Sequence, residues 1–459
     1  MSVPQYRKAA ALALVAGLGI SLTACSTKSG DPQNDASGKV TITVDCQPVG
    51  AQKELLANWN EDVAEFQRQN TDIVIKSVSV GEQCNNPPDF TARLAGGTVT
   101  DVFYGYMTDL AQVLDSGQAM DIGEYANAET IPTWDSVDPA LKEVFTDGGK
   151  LYAVPVKNYS MGLVYNKVLF QQAGLDVNNP PKTWPEVREA AKKISALGNG
   201  IAGYAEYSAG NTGGWHFTAL LYSQGGQVLT EDGSKAAFNS PQGRQVLQNL
   251  KDMRYGDDSM GDRQLLQWGD LLTNAGAGKV GMFVGAPDTT QAIVSQFQGK
   301  FEDWAMGPLP GQDGAAKGTL GGGEGYFFKK GLTPEQVKAG LKWIAYQKLT
   351  PGKGQFDYAR AKPQNYPVGL PQPLLFTNGS DAQKQELELR KTNANVDTTN
   401  FAVFEANPVP IKGEPRNAQA IYAVLDAVMS GVLTNPNANL DALLKTAEDK
   451  VNQLLAAQS

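Results

Sequence analysis

From Val40 to Val44 the chain alternates Thr with Val and Ile, the period-two pattern of a strand. The period then lengthens. Leu55, Leu56, Trp59, Val63 and Phe66 fall on one stripe of a helix predicted over Lys53–Gln69. Ile73–Val80 reads as a second strand, Asp101–Tyr104 as a short third, and Met161–Tyr165 as one further on. Thr183-Trp184-Pro185-Glu186 is a capping box, in which the Thr hydroxyl and the Glu carboxylate satisfy amides of a first helical turn. Behind it Val187, Ala190, Ala191, Ile194 and Leu197 make the buried stripe, and Gly198 ends the helix. Ser240-Pro241 and Thr333-Pro334-Glu335-Gln336 open two more helices, and an amphipathic helix is predicted near Leu440–Leu455. Strand–helix–strand order predicts an α/β fold with a largely parallel sheet. No repeat occurs at solenoid spacing.

Composition narrows the function classes. The 459 residues amount to two or three domains of core, and the net charge of -9 argues against nucleic acid or an anionic membrane surface as the main partner. His216 is the single histidine, which removes a multi-histidine metal site; no metal and no cofactor are expected. Near the N-terminus Arg7 and Lys8 precede an apolar run, Ala9–Leu22, too short to span a bilayer with margin. The run ends in Leu22-Thr23-Ala24-Cys25, which is similar to the bacterial lipobox. That similarity implies a signal peptide over 1–24, diacylglycerol on the Cys25 sulfur, and anchorage at the extracytoplasmic face of the cell membrane, where two acyl chains hold stably. Residues 25–38 then read as a lipidated, flexible tether. Cys46 and Cys84 remain. An exported chain favours a disulfide between them, with two free thiols as the alternative.

Several short segments, taken in order, carry a resemblance. They are Tyr152-Ala153-Val154-Pro155, Leu163-Val164-Tyr165-Asn166-Lys167, Ala173-Gly174-Leu175, Pro180-Pro181-Lys182-Thr183-Trp184, Gln224-Gly225-Gly226, Phe238-Asn239-Ser240, Gly278-Lys279-Val280-Gly281-Met282 and Gly307-Pro308-Leu309-Pro310. Together they resemble the family of bacterial extracellular sugar-binding proteins that includes the maltose-binding proteins. The resemblance implies two α/β lobes joined by hinge crossovers, with a ligand cleft between them. By position the crossovers fall near Val154–Lys157, Phe283–Pro287 and Glu324–Lys329. One lobe then combines 39–153 with 287–324, and the other 157–283 with 330–459. It also implies a monomeric, non-enzymatic receptor that captures a mono- or oligosaccharide and delivers it to the permease of an ABC importer.

A sugar needs flat aromatic platforms and short polar side chains that fork to its hydroxyls. In the Gly-rich stretch Asn211–Trp215, Trp215 is the leading platform. It precedes a helix expected to begin near Phe217 and matches a family sugar-contacting aromatic; a core tryptophan is the alternative. Tyr104 and Tyr106 follow the third strand, and alternation is expected to split them, one ring turning to the core. Thr108 and Asp109 continue that loop as hydroxyl partners, an exposed turn being the other reading of Asp109. Tyr159 lies past the first crossover, where the family often places a ligand contact. Gln47 follows the first strand as an amide contact, and Glu324 sits among glycines as a two-hydroxyl acceptor or a solvated hinge residue. Trp268 is platform or core, and Arg416 stands at the start of a late helix that carries Tyr422. Many relatives carry a Trp after the Gly-x-Pro of the second crossover; here Gly285-Ala286-Pro287 is followed by Asp288, which predicts a more hydrogen-bonded pocket end.

Two competing readings stay open. A surface glycoside hydrolase needs two opposed carboxyls, for which Glu324 and Asp288 are the nominees. The same scaffold binding a glycerol-phosphate ester or another polar solute needs cleft cations, for which Lys157 and Arg416 are the nearest. Gly276–Gly281 matches G-x-G-x-x-G by letter, but it lies between a helix and a strand rather than after a strand, so no dinucleotide is expected.

Overall fold

The computed structural model describes residues 38–81, 84–364, 366–370 and 375–457; Cys25, the signal-like run and most of the tether lie outside the described residues. The predicted local signals hold. Thr183 Oγ1 accepts from the Glu186 amide at 3.3 Å, and Glu186 accepts from the Thr183 amide at 3.2 Å, starting the helix Trp184–Ser195. Thr333 and Gln336 repeat the device at Pro334–Ile344, and Ser240 caps Pro241–Lys251. In the helix Lys53–Gln69, Trp59 and Phe66 are buried and pack their rings against Trp343 at 5.4 and 5.3 Å.

The strands are β1 (Val40–Val44), β2 (Ile73–Ser77), β3 (Val102–Tyr106), β4 (Thr146–Asp147), β5 (Lys150–Leu151), β6 (Ala153–Ser160), β7 (Gly162–Asn166), β8 (Ala202–Tyr204), β9 (Val280–Gly285), β10 (Trp304–Pro308), β11 (Thr319–Phe328) and β12 (Ile411–Lys412). One sheet has the order β12-β11-β3-β1-β2, with β6 also on β11; a second has the order β10-β7-β9-β8; β4 and β5 form a hairpin. Parallel pairing holds for β1 with β2 and β3, and for β8 with β9. The expectation of a largely parallel sheet is corrected elsewhere: β11 runs antiparallel to β3 and β6, and β7 antiparallel to β9 and β10. A strand that arrives from the other lobe enters its sheet from the opposite end, and no helical crossover is then required.

Each sheet carries its own core, so the molecule has two lobes. The first core gathers residues from Ile42 to Val156 with Tyr326–Leu349 and Leu375–Ala382. The second gathers Met161–Leu320 with Phe401 and Ala418–Val451. Two segments are thus apportioned the other way from expectation. Ile293, Trp304 and Met306 pack with Val164 and Phe283 in the second lobe, whereas Val337, Leu341 and Trp343 pack with Ile42 and Phe66 in the first. The chain stays in the second lobe through Phe283–Pro287, because β9 is paired there with β7. It returns to that lobe a last time between Ala382 and Phe401.

The lobes are joined by the β6–β11 ribbon, whose register runs from Ala153 opposite Phe327 to Ser160 opposite Gly321 and slips between Glu324 and Gly325. Its glycines serve close approach. A Cβ on Gly322 would stand 2.7 Å from Tyr159 Oη and 2.8 Å from a Glu414 carboxylate oxygen, and one on Gly323 would collide with the Lys157 carbonyl.

Candidate functional site

At the ribbon a cavity of about 560 Å³ opens between the lobes. Tyr104, Tyr326 and Lys348 line it from the first lobe, Lys157 and Glu324 from the ribbon, and Asp288 from the first turn of the second-lobe helix Asp288–Phe297. Lys157 Nζ lies 3.3 Å from Glu324 and 3.8 Å from Asp288. The Glu324 charge, then that of Asp288, holds this ammonium above the usual lysine range against the cost of burial.

Lys348 behaves in the opposite way. It sits in a π-helical turn, Ala345–Leu349, that extends the helix Pro334–Ile344. Burial pushes its ammonium down to about 8, nearby Lys157 adding to the effect and Glu324 opposing it. Among the described residues its ammonium forms no ion pair and no hydrogen bond.

Tyr104 and Tyr106 face the same way, since residues two apart share one side of a strand; the expectation that alternation splits them is corrected. It is Gly105, between them, that meets Phe327 of the core. The two rings lie 5.6 Å apart, and Tyr104 and Glu324 both line the cavity. Asp109 is buried rather than an exposed turn. It accepts from Asn85 Nδ2 at 2.7 Å and from the Tyr106 amide at 2.8 Å, and burial lifts its carboxyl to about 6. Thr108 is half-buried beside it.

Outside the cavity wall Trp215 Nε1 donates to Tyr159 Oη at 3.1 Å, and Tyr207 stands 6.2 Å from the Trp215 ring. Trp215 is half-buried within the first turn of the helix Thr212–Ser223, which begins earlier than the expected Phe217. The same group includes Glu414, which accepts from Tyr422 Oη at 3.2 Å. Burial raises the Glu414 carboxyl to about 8, so at neutral pH it carries a proton and can itself donate.

Of the nominated residues the cavity wall holds Tyr104, Asp288 and Glu324, while Tyr106, Thr108, Asp109, Tyr159 and Trp215 lie outside it and three more stand further apart. Gln47 is half-buried and tied to Val78 through its amide, although its neighbours Cys46 and Pro48 line the cavity. Trp268 is 37% exposed at the start of its helix and is not in the cavity wall. Arg416 points to solvent and pairs with Asp147 at 3.1 Å, linking the second lobe to the β4–β5 hairpin of the first. Cys46 and Cys84 are joined by a disulfide, with Cα atoms 4.9 Å apart.

Lys348, Tyr207 and Glu414 were not anticipated. Glu414 lies two residues before the nominated Arg416, but no local spacing marks Lys348, whose position depends on how the segment after Ile344 folds back on the first lobe.

Two lobes on a β-ribbon, with a polar, aromatic-walled cavity at the join, define a solute-binding protein. The profile described as bacterial extracellular solute-binding protein matches residues 50–347, and the chain belongs to that family, whose members bind small polar solutes without turning them over and typically work with ABC permeases. Over 204 residues it is 30% identical to the sn-glycerol-3-phosphate-binding periplasmic protein UgpB of Brucella abortus; that match spans 41% of this chain and 43% of the relative. The fold is that of a cyclic alpha-maltosyl-1,6-maltose binding protein from Arthrobacter globiformis, with TM-score 0.68, 24% identity, and 92% of this chain and 100% of that one covered. It is equally that of UgpB from Mycobacterium tuberculosis in complex with glycerophosphocholine, with TM-score 0.71, 17% identity, and 92% and 99% covered. This fold is extracytoplasmic, and no helix among the described residues is long and apolar enough to cross a membrane.

Proposed function

We propose that the chain is the extracytoplasmic receptor of an ABC importer, held to the membrane by lipid on Cys25, and that its ligand is a glycerol-phosphate ester. The observation that carries the ligand class is the pair of cleft ammonium groups, Lys157 and Lys348, of which Lys348 has no carboxylate partner among the described residues. The half-buried Lys348 ammonium forms no ion pair of its own among the described residues, and a bound phosphate gives it a full counter-charge. Two further facts agree. The Brucella abortus relative is named for sn-glycerol-3-phosphate, and the Mycobacterium tuberculosis structure holds glycerophosphocholine. This reverses the priority that the sequence suggested, in which a sugar came first.

The sugar reading keeps one observation of its own: the half-buried Trp215 ring beside Tyr159 and Tyr207 suits a hydroxylated ring with apolar faces. A melting panel of phosphate esters and neutral sugars separates the two. A ligand at about 100 times its Kd adds roughly 2.7 kcal/mol of stability. A marked rise in Tm with sn-glycerol-3-phosphate or its diesters, and none with maltose, supports the phosphate reading; the reverse pattern replaces it with the sugar.

A further inference from the structure

Two backbone carbonyls belong to the segments that carry the cleft ammonium groups: that of Lys348 itself, and that of Val156, the residue before Lys157. One side chain joins them. Gln355 Nε2 donates to the Val156 carbonyl at 2.9 Å and also to the Lys348 carbonyl. A carbonyl oxygen only accepts, so the amide turns its nitrogen to both, and one NH2 group serves two different segments.

Each segment has a reason to need the bond. In the β6–β11 register Lys157 stands opposite Glu324 and Pro155 opposite Gly325, so Val156 is the extra residue of a bulge and has no partner across the ribbon. A bulge of this kind re-aims the side chain beside it, here that of Lys157. The Lys348 carbonyl belongs to the π-helical turn Ala345–Leu349, where the helix ends and its last carbonyls lack partners further along the chain.

Gly354 brings Gln355 within reach of that turn: its φ of +50° and its seat against the Gln347 backbone leave no room for a side chain. Gln355 itself lines the cavity and is exposed, so its side chain adds little to the core.

From this we infer that Gln355 is a positioning residue, whose amide ties the Val156 bulge to the Lys348 turn and so fixes the spacing of the Lys157 and Lys348 ammonium groups for one phosphate. The inference rests on the phosphate reading. Two like charges in one cavity repel, and without the tie the Lys348 turn is free to draw back from the bulge. With it the pair is set before the ligand arrives, and less ordering is left for binding to accomplish.

The test titrates sn-glycerol-3-phosphate by calorimetry into the full mature chain as wild type, Gln355→Met, Lys348→Met and the double variant. Methionine keeps the length of the side chain and loses both donors, and the unfolding midpoint checks each fold. Gln355→Met should bind about fivefold more weakly, since the net worth of such hydrogen bonds is modest. The double variant should lose no more than Lys348→Met alone, because without Lys348 there is no pair to space, whereas a merely structural role gives additive losses. The pH profile supplies a second readout. Lys348 feels the charges of Glu324, Lys157 and Asp62. With Lys157 further off, the alkaline rise in Kd should begin at higher pH in Gln355→Met than in the wild type. Undiminished affinity, additive losses or an unmoved alkaline rise each overturns the positioning role and leaves phosphate recognition standing. Failure of the wild type to bind the ester overturns the phosphate reading and this inference with it.

Discussion

Lys157 and Glu324 face each other across the β6–β11 ribbon, and their side chains meet at 3.3 Å where the register of that ribbon slips. The only two antiparallel strands that run from one described core to the other thus carry a charged pair in the cavity wall. A change in the angle between the lobes alters the ribbon and the ligand site together, and the ligand can shift that equilibrium only by its preference for one form.

Asp288 is the residue on which the two ligand readings diverge. It competes with the ligand for Lys157 if the ligand is an anion, and it supplies hydroxyl contacts if the ligand is a sugar. Because the pair is 36% and 49% exposed, its worth is discounted for solvent. Asp288→Asn is expected to strengthen sn-glycerol-3-phosphate binding up to about fivefold. A weaker affinity in a fluorescence or calorimetric titration indicates the sugar role instead.

Ligand affinity should depend on alkaline pH. The free Lys348 ammonium titrates at about 8, and a bound phosphate favours its charged form. Below about pH 8 the proton is already in place. Above it, binding must take up a proton, and the Kd rises by up to about tenfold per pH unit. A Kd that stays flat from pH 7 to 9.5 contradicts the role of Lys348.

The unliganded protein should gain stability on acidification from pH 8. Burial raises the carboxyls of Asp45 to about 7, Asp109 to about 6 and Glu414 to about 8. Over the window between their ordinary values and these raised ones, the folded state holds protons that the unfolded chain has lost, so stability falls as pH rises. Glu414→Gln removes one such group, and should flatten the rise in Tm measured between pH 8 and pH 5. An unchanged slope means that Glu414 is ionised in the fold.

The Cys46–Cys84 bond closes a separation of 38 residues. On the loop-entropy account its removal costs about 4 kcal/mol. The double variant Cys46→Ser, Cys84→Ser is expected to lose about that much in urea unfolding, and to bind more weakly because both cysteines line the cavity.

Much of the local architecture was legible because its causes are local. The boxes at Thr183–Glu186 and Thr333–Gln336 need only four residues each, and Val40–Val44 shows its strand in the alternation itself. Asp288 and Glu324, nominated from the chain order of the family, do line the cavity, whereas Tyr159, nominated on the same ground, does not. The lobe assignment after Lys330 was not legible: Val337, Leu341 and Trp343 are apolar on one stripe whichever lobe receives them, and only packing against Phe66 and Ile42 decides. Trp268 shows the converse. Its sequence context suits a platform, yet it ends 37% exposed. Lys348 and Gln347 reach the cavity through a π-helical turn, which no spacing of residues announced.

The most direct measurement is a calorimetric titration of the mature protein at pH 7 with sn-glycerol-3-phosphate and with maltose, repeated on Lys348→Met. The phosphate ester should bind one-to-one and the neutral sugar should not, and the variant should lose tenfold or more in affinity, in line with the roughly 1.5–3 kcal/mol of a hydrogen bond to a charged group. Tight binding of maltose with no heat from the ester, or undiminished ester binding by the variant, would contradict the account.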